Sequence, residues 1–175
     1  EGLSFVTSDD WVPAEGRFGA LAFIYGTLLV SAIAVLFAVP VSLGIALFAN
    51  EAASTRLRRP VVYVVDLLAA IPSVVYGLWG VLVLAPALRP AFDALGDAVE
   101  GWPVLGTLFG PGSSGRSFLT AGMVIAVMIT PIITSLSREV IATVPSAQRE
   151  AAYGMGATRW EMIRAAVLPW SRGGI

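Results

Sequence analysis

Charged residues are missing from long stretches of this chain, and those stretches set its organisation. None of the 33 residues between Arg17 and Glu51 is charged, and Asp66 alone interrupts the 29 between Arg59 and Arg89. A further 21 uncharged residues run from Ser117 to Ser137. An apolar helix needs roughly 20 residues to cross about 30 Å of hydrocarbon. The pattern therefore predicts three membrane-crossing helices, within about 20–49, 61–86 and 117–137. The first is longer than required, which implies tilt or an interfacial start near Phe18. Buried helices of a soluble protein are the alternative, but in 175 residues they would leave almost nothing for a polar shell.

Within the first expected span, Ala34, Ala38, Ser42 and Ala46 recur at every fourth position. They make one helical face smooth, so a second helix can approach closely. Each expected span also holds a proline: Pro40, Pro72 and Pro131. A proline removes one backbone hydrogen bond and tends to kink a helix, which membranes tolerate where neighbours or water satisfy the freed carbonyl. Asp66 is the one ionisable residue inside an expected span. It reads either as a functional group or, near the interface, as a structural partner for Arg59 about 10 Å along the helix. The stretch 89–116 is rich in Gly and Pro and reads as a loop with a short helix over 91–99. Trp11, Trp79 and Trp102 are candidate interfacial anchors.

Composition narrows the class. Hydrophobic residues make up 57% and charged residues 13%, against about a quarter charged in soluble domains. That argues against an ordinary soluble enzyme, and against disorder, which needs low hydrophobicity. The chain has no Cys and no His, which removes disulfide frameworks, thiol catalysis, Ser-His-Asp triads and most zinc sites. A net charge of −1 gives no long-range pull towards nucleic acid. Every cation is Arg, a composition bias without chemical consequence.

Orientation follows from arginine in the short connections. Arg56, Arg58 and Arg59 lie in 50–60, and Arg138, Arg149, Arg159, Arg164 and Arg172 lie in 138–175, against Arg17, Arg89 and Arg116 on the opposite side. The segments 50–60 and 138–169 are expected on the cytoplasmic side and residue 1 outside. An outside start without a signal-peptide pattern, and an end where another span can begin, read as an excerpt of a larger multi-span protein.

The segment after the third span has the sharpest local signals. Ser146 follows Pro145 and is placed to cap a helix. Gly156 is placed to end that helix in the left-handed conformation. Thr158 and Glu161 form a T-x-x-E capping box for a second helix, and Pro169 marks the start of a further element. Such a helix–glycine–helix elbow suits recognition by a groove on a soluble partner.

Glu150-Ala151-Ala152, three residues, Gly156, eleven residues, then Leu168-Pro169 resemble the EAA loop of binding-protein-dependent ABC importer permeases. Ala166 stands where the family usually has Ile. Glu51-Ala52-Ala53 is also an EAA triplet, but Leu57 and Ala70 occupy the positions of the Gly and the Pro, so only the later copy has the family spacing. Gly2-Leu3-Ser4-Phe5, Phe18-Gly19, Tyr25-Gly26-Thr27-Leu28, Pro40-Val41-Ser42-Leu43-Gly44 and Ala70-Ile71-Pro72-Ser73-Val74-Val75-Tyr76-Gly77-Leu78-Trp79-Gly80 narrow the resemblance to phosphate importer permeases of the PstC type.

The resemblance implies an all-α, type I ABC importer transmembrane domain over 18–175, following an extracytoplasmic segment 1–17. Such a domain has six spans, and here the first and the last two would be missing. The implied place is a bacterial plasma membrane, crossed several times. The implied role is a transport subunit, not an enzyme, that forms half of a phosphate pathway and binds no cofactor. ATP is used by a partner, a PstB-like ATPase dimer; the other implied partners are a PstA-like permease and a PstS-like phosphate-binding protein outside. Coupling to the ATPase falls to Glu150, Ala151, Ala152, Gly156, Leu168 and Pro169, with Arg149 and Arg159 nearby. A phosphate path needs donors, for which Arg138 at the inner mouth of the third span, Thr27, Ser73, Thr130 and Thr134 are candidates. Arg138 also reads as a positive-inside anchor, and Asp66 as a group kept off an anion path. Alternatives are the same family with sulfate or molybdate as cargo, or a non-transporting membrane scaffold. A secondary transporter fits less well, since no inverted repeat is visible.

Overall fold

The computed structural model describes residues 4–98 and 117–174. Its described residues are almost entirely helical, with one isolated bridge between Val12 and Arg17. After a helical turn Ser4–Thr7 and a 3-10 turn Pro13–Glu15, helix α1 runs Leu21–Ala52, its last turn Phe48–Ala52 widened to π geometry. Helix α2 covers Thr55–Ala69, α3 Ser73–Ala98 and α4 Phe118–Ala142. The elbow follows as α5, Ser146–Gly154, and α6, Arg159–Met162. Beyond α6 the chain stays helical through a π turn, Ile163–Val167, into Leu168–Ser171.

Helices α1, α3 and α4 are each long and apolar enough to cross a membrane. They leave large apolar side chains uncovered: Leu28 is 66% exposed, Leu36 69% and Val74 78%. In water such surface would drive association; in a bilayer it is the side that faces lipid or other helices.

The expected span over 61–86 is not one helix. Its first part belongs to α2, which is amphipathic and carries Arg56, Arg58, Arg59 and Asp66. The helix ends at Ala69, and the apolar crossing is Ser73–Ala98. Pro72 sits in the break instead of inside a helix, because its ring disfavours helical geometry in the preceding residue. Asp66 is therefore outside the three candidate spans. It is exposed and forms no ion pair with Arg59 or any other described residue. Residues 89–98 continue α3, so the short helix expected over 91–99 is, as far as 98, the end of the crossing helix and not a separate element of a loop; Trp102 and the rest of that loop lie outside the described residues. Trp11 is half exposed and packs edge-on against Phe18 and Phe23, with ring centroids at 5.5 and 5.0 Å.

The chain divides into two compact units, Glu1–Val35 with Val74–Ile125, and Leu36–Ser73 with Ala126–Ile175. In the first, α4 meets the start of α1 at Gly122, where a Cβ would collide with the Ile33 side chain. An apolar cavity of about 860 Å3 opens there, bordered by Leu29, Ile33, Val81, Phe92, Phe118 and Val124.

In the second unit the small-residue face of α1 is buried. Ala38, Ser42, Ala46 and Ala49 are at most 1% exposed. Ser42 Oγ donates to the Thr130 carbonyl of α4 at 3.1 Å, a contact that a larger side chain would hold apart. Pro40 and Pro131 lie inside α1 and α4 without ending them. The core of this unit joins Ala46, Ile141, Val144, Ala152, Met162, Ile163 and Val167. It therefore packs the elbow onto the ends of α1 and α4.

Candidate functional site

The elbow is built from local sequence. Helix α5 closes in a Schellman motif. Gly156 has φ +85°; its N–H donates to the Tyr153 carbonyl at 2.9 Å, and the Ala157 N–H donates to the Ala152 carbonyl at 3.1 Å. A residue with a Cβ is strained at that φ. Helix α6 opens with the expected capping box: the Glu161 N–H donates to Thr158 Oγ1, and the Thr158 N–H donates to Glu161 Oε2 at 2.8 Å. The Thr158 N–H, and then the Thr158 hydroxyl, which donates to the same oxygen at 2.7 Å, hold the Glu161 carboxyl below its ordinary pKa. The start of α5 departs from expectation. Pro145, not Ser146, occupies the cap position, and no side chain caps the helix, because a proline supplies extended backbone without a side-chain acceptor.

One elbow face is buried and the other open. Ala152 and Met162 are 5% and 1% exposed and belong to the core. Tyr153, Met155 and Trp160 are 46%, 84% and 63% exposed. Glu150, Ala151, Gly156 and Arg159 are also exposed. Leu168 packs against the core and begins the last helical turn, in which Pro169 is the second residue and is exposed.

Arg149, expected beside the coupling residues, is drawn inward, its side chain 24% exposed. Its Nη1 donates to the Val144 carbonyl at 2.6 Å, and its Nη2 to the Ile141 carbonyl at 3.1 Å and to Glu51 Oε1 at 2.8 Å. The guanidinium thus closes the C-terminal end of α4, where carbonyls lack helical partners and a cation is favoured. It also ties the elbow to the π turn of α1. The neighbouring Asn50 donates from Nδ2 to the Arg138 carbonyl at 2.7 Å. Glu51 belongs to the EAA triplet without the family spacing, so motif spacing gave no reason to select it. An acidic residue at the end of a long apolar run was the only signal.

The suggested path residues are only partly brought together. Thr130, Thr134 and Arg138 lie four residues apart along α4, on one face. Thr134 is fully buried, and its Oγ1 has no partner among the described residues. Arg138 is part-buried, its Nε likewise unpartnered, and lies inside α4 because that helix runs on to Ala142. Thr130 Oγ1 donates to the Ala126 carbonyl at 2.7 Å. Thr27 belongs to the other unit, where its hydroxyl donates to the Phe23 carbonyl at 2.8 Å. Ser73 is exposed at the start of α3.

The sequence profile of a family described as binding-protein-dependent transport system inner membrane component matches residues 38–175. The chain belongs to that family.

The relatives of this transport component agree. The phosphate transport system permease protein PstC of Mesorhizobium japonicum is 49% identical, covering 99% of this chain and 54% of that protein. Proteins of the same description from Xylella fastidiosa (strain 9a5c) and Pasteurella multocida are 46% and 41% identical, covering 100% and 99% of this chain and 54% and 55% of their own length. The chain spans about half the length of the curated relatives it matches. No solved structure matches it. Family membership and the three apolar helices identify an all-α, multi-pass membrane transport component.

Proposed function

We propose that this chain is part of the permease subunit of an ATP-driven importer of inorganic phosphate, and that the elbow 146–162 couples it to a cytoplasmic ATPase. The observation that carries the coupling role is the elbow itself. Two short helices are locked by a Schellman turn and a capping box. They are fused by one face to the membrane helices through a shared core, and the other face offers Tyr153, Met155 and Trp160. A rigid knob of this kind transmits displacement to α1 and α4, since packed interiors yield little. Phosphate as cargo rests on the likeness to the PstC relatives.

In this reading the elbow lies in the cytoplasm of a bacterium, the chain sits in the plasma membrane, and residue 1 faces outward. The excess of arginine in 50–60 and 138–175 supports that orientation. A PstB-like ATPase dimer hydrolyses ATP, a PstA-like permease supplies the other half of the path, and a PstS-like protein delivers phosphate. A bare phosphate in hydrocarbon would cost tens of kcal/mol; on one face of α4, Thr134 and Arg138, whose Oγ1 and Nε have no partner among the described residues, are the donors that serve to lower it, while the Thr130 hydroxyl proton is already given to the Ala126 carbonyl.

Gly156→Pro in the full-length permease tests the reading. Proline cannot adopt the positive φ and removes the N–H given to Tyr153. Membrane insertion is expected to persist while phosphate uptake by the whole importer is lost; normal uptake would refute the coupling role.

A further inference from the structure

A recess of about 510 Å3 lies between α2 and the end of α4, bordered by Thr55, Arg58, Arg59, Tyr63, Asp66 and Arg138. Three guanidiniums face one carboxylate there, leaving two positive charges in excess. Asn50 fixes one of the three cations and ties it to the backbone that carries another. Its Nδ2 donates to the Arg138 carbonyl at 2.7 Å, and its Oδ1 accepts from Arg58 Nη2 at 3.3 Å. Arg138 Nε is buried and has no partner among the described residues. Arg59 is exposed and forms no ion pair among the described residues. Like charges gathered around one recess repel, and a bound anion relieves that cost. Guanidinium forks match the oxygens of a phosphate group in particular. Thr55, at the first position of the 15-residue α2, adds the positive end of a helix dipole.

We propose that this recess binds a phosphate-bearing anion, held by Arg58 and Arg59, with Asp66 weakening the affinity by repulsion. The anion is either inorganic phosphate or the headgroup of an anionic phospholipid. The site stands on these residues alone and holds whether or not the protein imports phosphate.

The full-length permease with its partner subunits, in phosphatidylcholine nanodiscs, is titrated with radiolabelled inorganic phosphate. Parallel nanodiscs containing phosphatidylglycerol are analysed by native mass spectrometry for retained lipid. Arg58→Gln and Arg59→Gln are each expected to weaken binding of one probe by about tenfold or more, and Asp66→Asn to strengthen it. Phosphate binding with that signature identifies the free anion, and phosphatidylglycerol retention with it identifies the headgroup. Binding of neither probe, indifference to the arginine substitutions, or weaker binding in Asp66→Asn would overturn the proposal. If the glutamine variants fold poorly, Arg58→Lys and Asp66→Asn decide by the same signs, since lysine keeps the charge but loses the fork. An importer that transports normally yet binds neither probe refutes this site and leaves the transport reading intact.

Discussion

Arg149 Nη2 meets Glu51 Oε1 at 2.8 Å, joining residues 98 positions apart. The Glu51 side chain is 7% exposed and that of Arg149 24%. The pair links the π turn of α1 to the elbow, and the same guanidinium closes the end of α4. One side chain therefore ties the elbow to two helices.

Removing one partner of such a pair leaves a buried charge uncompensated, which costs about 3–5 kcal/mol. Arg149→Met is expected to lower the thermal midpoint of the full-length permease strongly. Glu51→Gln should do so less, because an amide still accepts a hydrogen bond. The double replacement should lose less than the sum of the two, and additive losses in a double-mutant cycle would show that the pair is not coupled.

Ala46 is fully buried against Ile141 and the elbow core. Ala46→Leu should force α1 and α4 apart at a cost of about 1–3 kcal/mol, whereas Ala46→Gly should be tolerated better. Comparison of unfolding midpoints in one detergent checks both.

The exposed elbow side chains are expected to matter for partner binding and not for folding. Met155→Asp and Trp160→Asp should leave the unfolding midpoint nearly unchanged but reduce co-purification of the ATPase. Undiminished recovery of the ATPase with both changes would place its dock elsewhere.

The capping box predicts an acid-labile second elbow helix. Hydrogen bonds from the Thr158 N–H and hydroxyl lower the folded-state pKa of Glu161 below its ordinary value. The stabilisation is complete above that value and is lost as the pH falls through the lower folded-state pKa. Hydrogen-exchange protection of α6 should drop over that acidic range and change less in Glu161→Gln.

Arg138→Ala should reduce phosphate flux more than assembly with the ATPase, since its side chain lies in the α4 line of Thr130 and Thr134 and its contact with Asn50 is through the backbone. Flux and assembly falling together would favour a structural anchor.

Much of this architecture is local and therefore legible in one dimension. Long uncharged runs predict spans because burying a charge in hydrocarbon is costly. The Gly156 turn and the Thr158–Glu161 box depend on residues within a few positions, so their spacing predicts them. The four-residue repeat of small side chains marked the face of α1 that the structure buries. Pro72 was also visible, but a proline inside an apolar run is compatible with a kink or a stop. The structure shows a stop, with α2 ending at Ala69 and the crossing beginning at Ser73, and so removes Asp66 from the span in which pattern alone placed it.

The clasp and the recess depend on contacts between distant parts of the chain. Arg149 and Glu150 are adjacent charges that composition cannot tell apart, yet one is drawn inward and the other faces out. The difference is made by a carboxylate 98 residues away, brought there by the π turn of α1. Likewise Arg58 is an ordinary interfacial arginine until Asn50 ties its guanidinium to the α4 backbone at Arg138. Hydropathy and local hydrogen-bonding preference set the helices and their caps. Which charges meet was decided only when those helices packed, because pairing depends on distance in space and not along the chain.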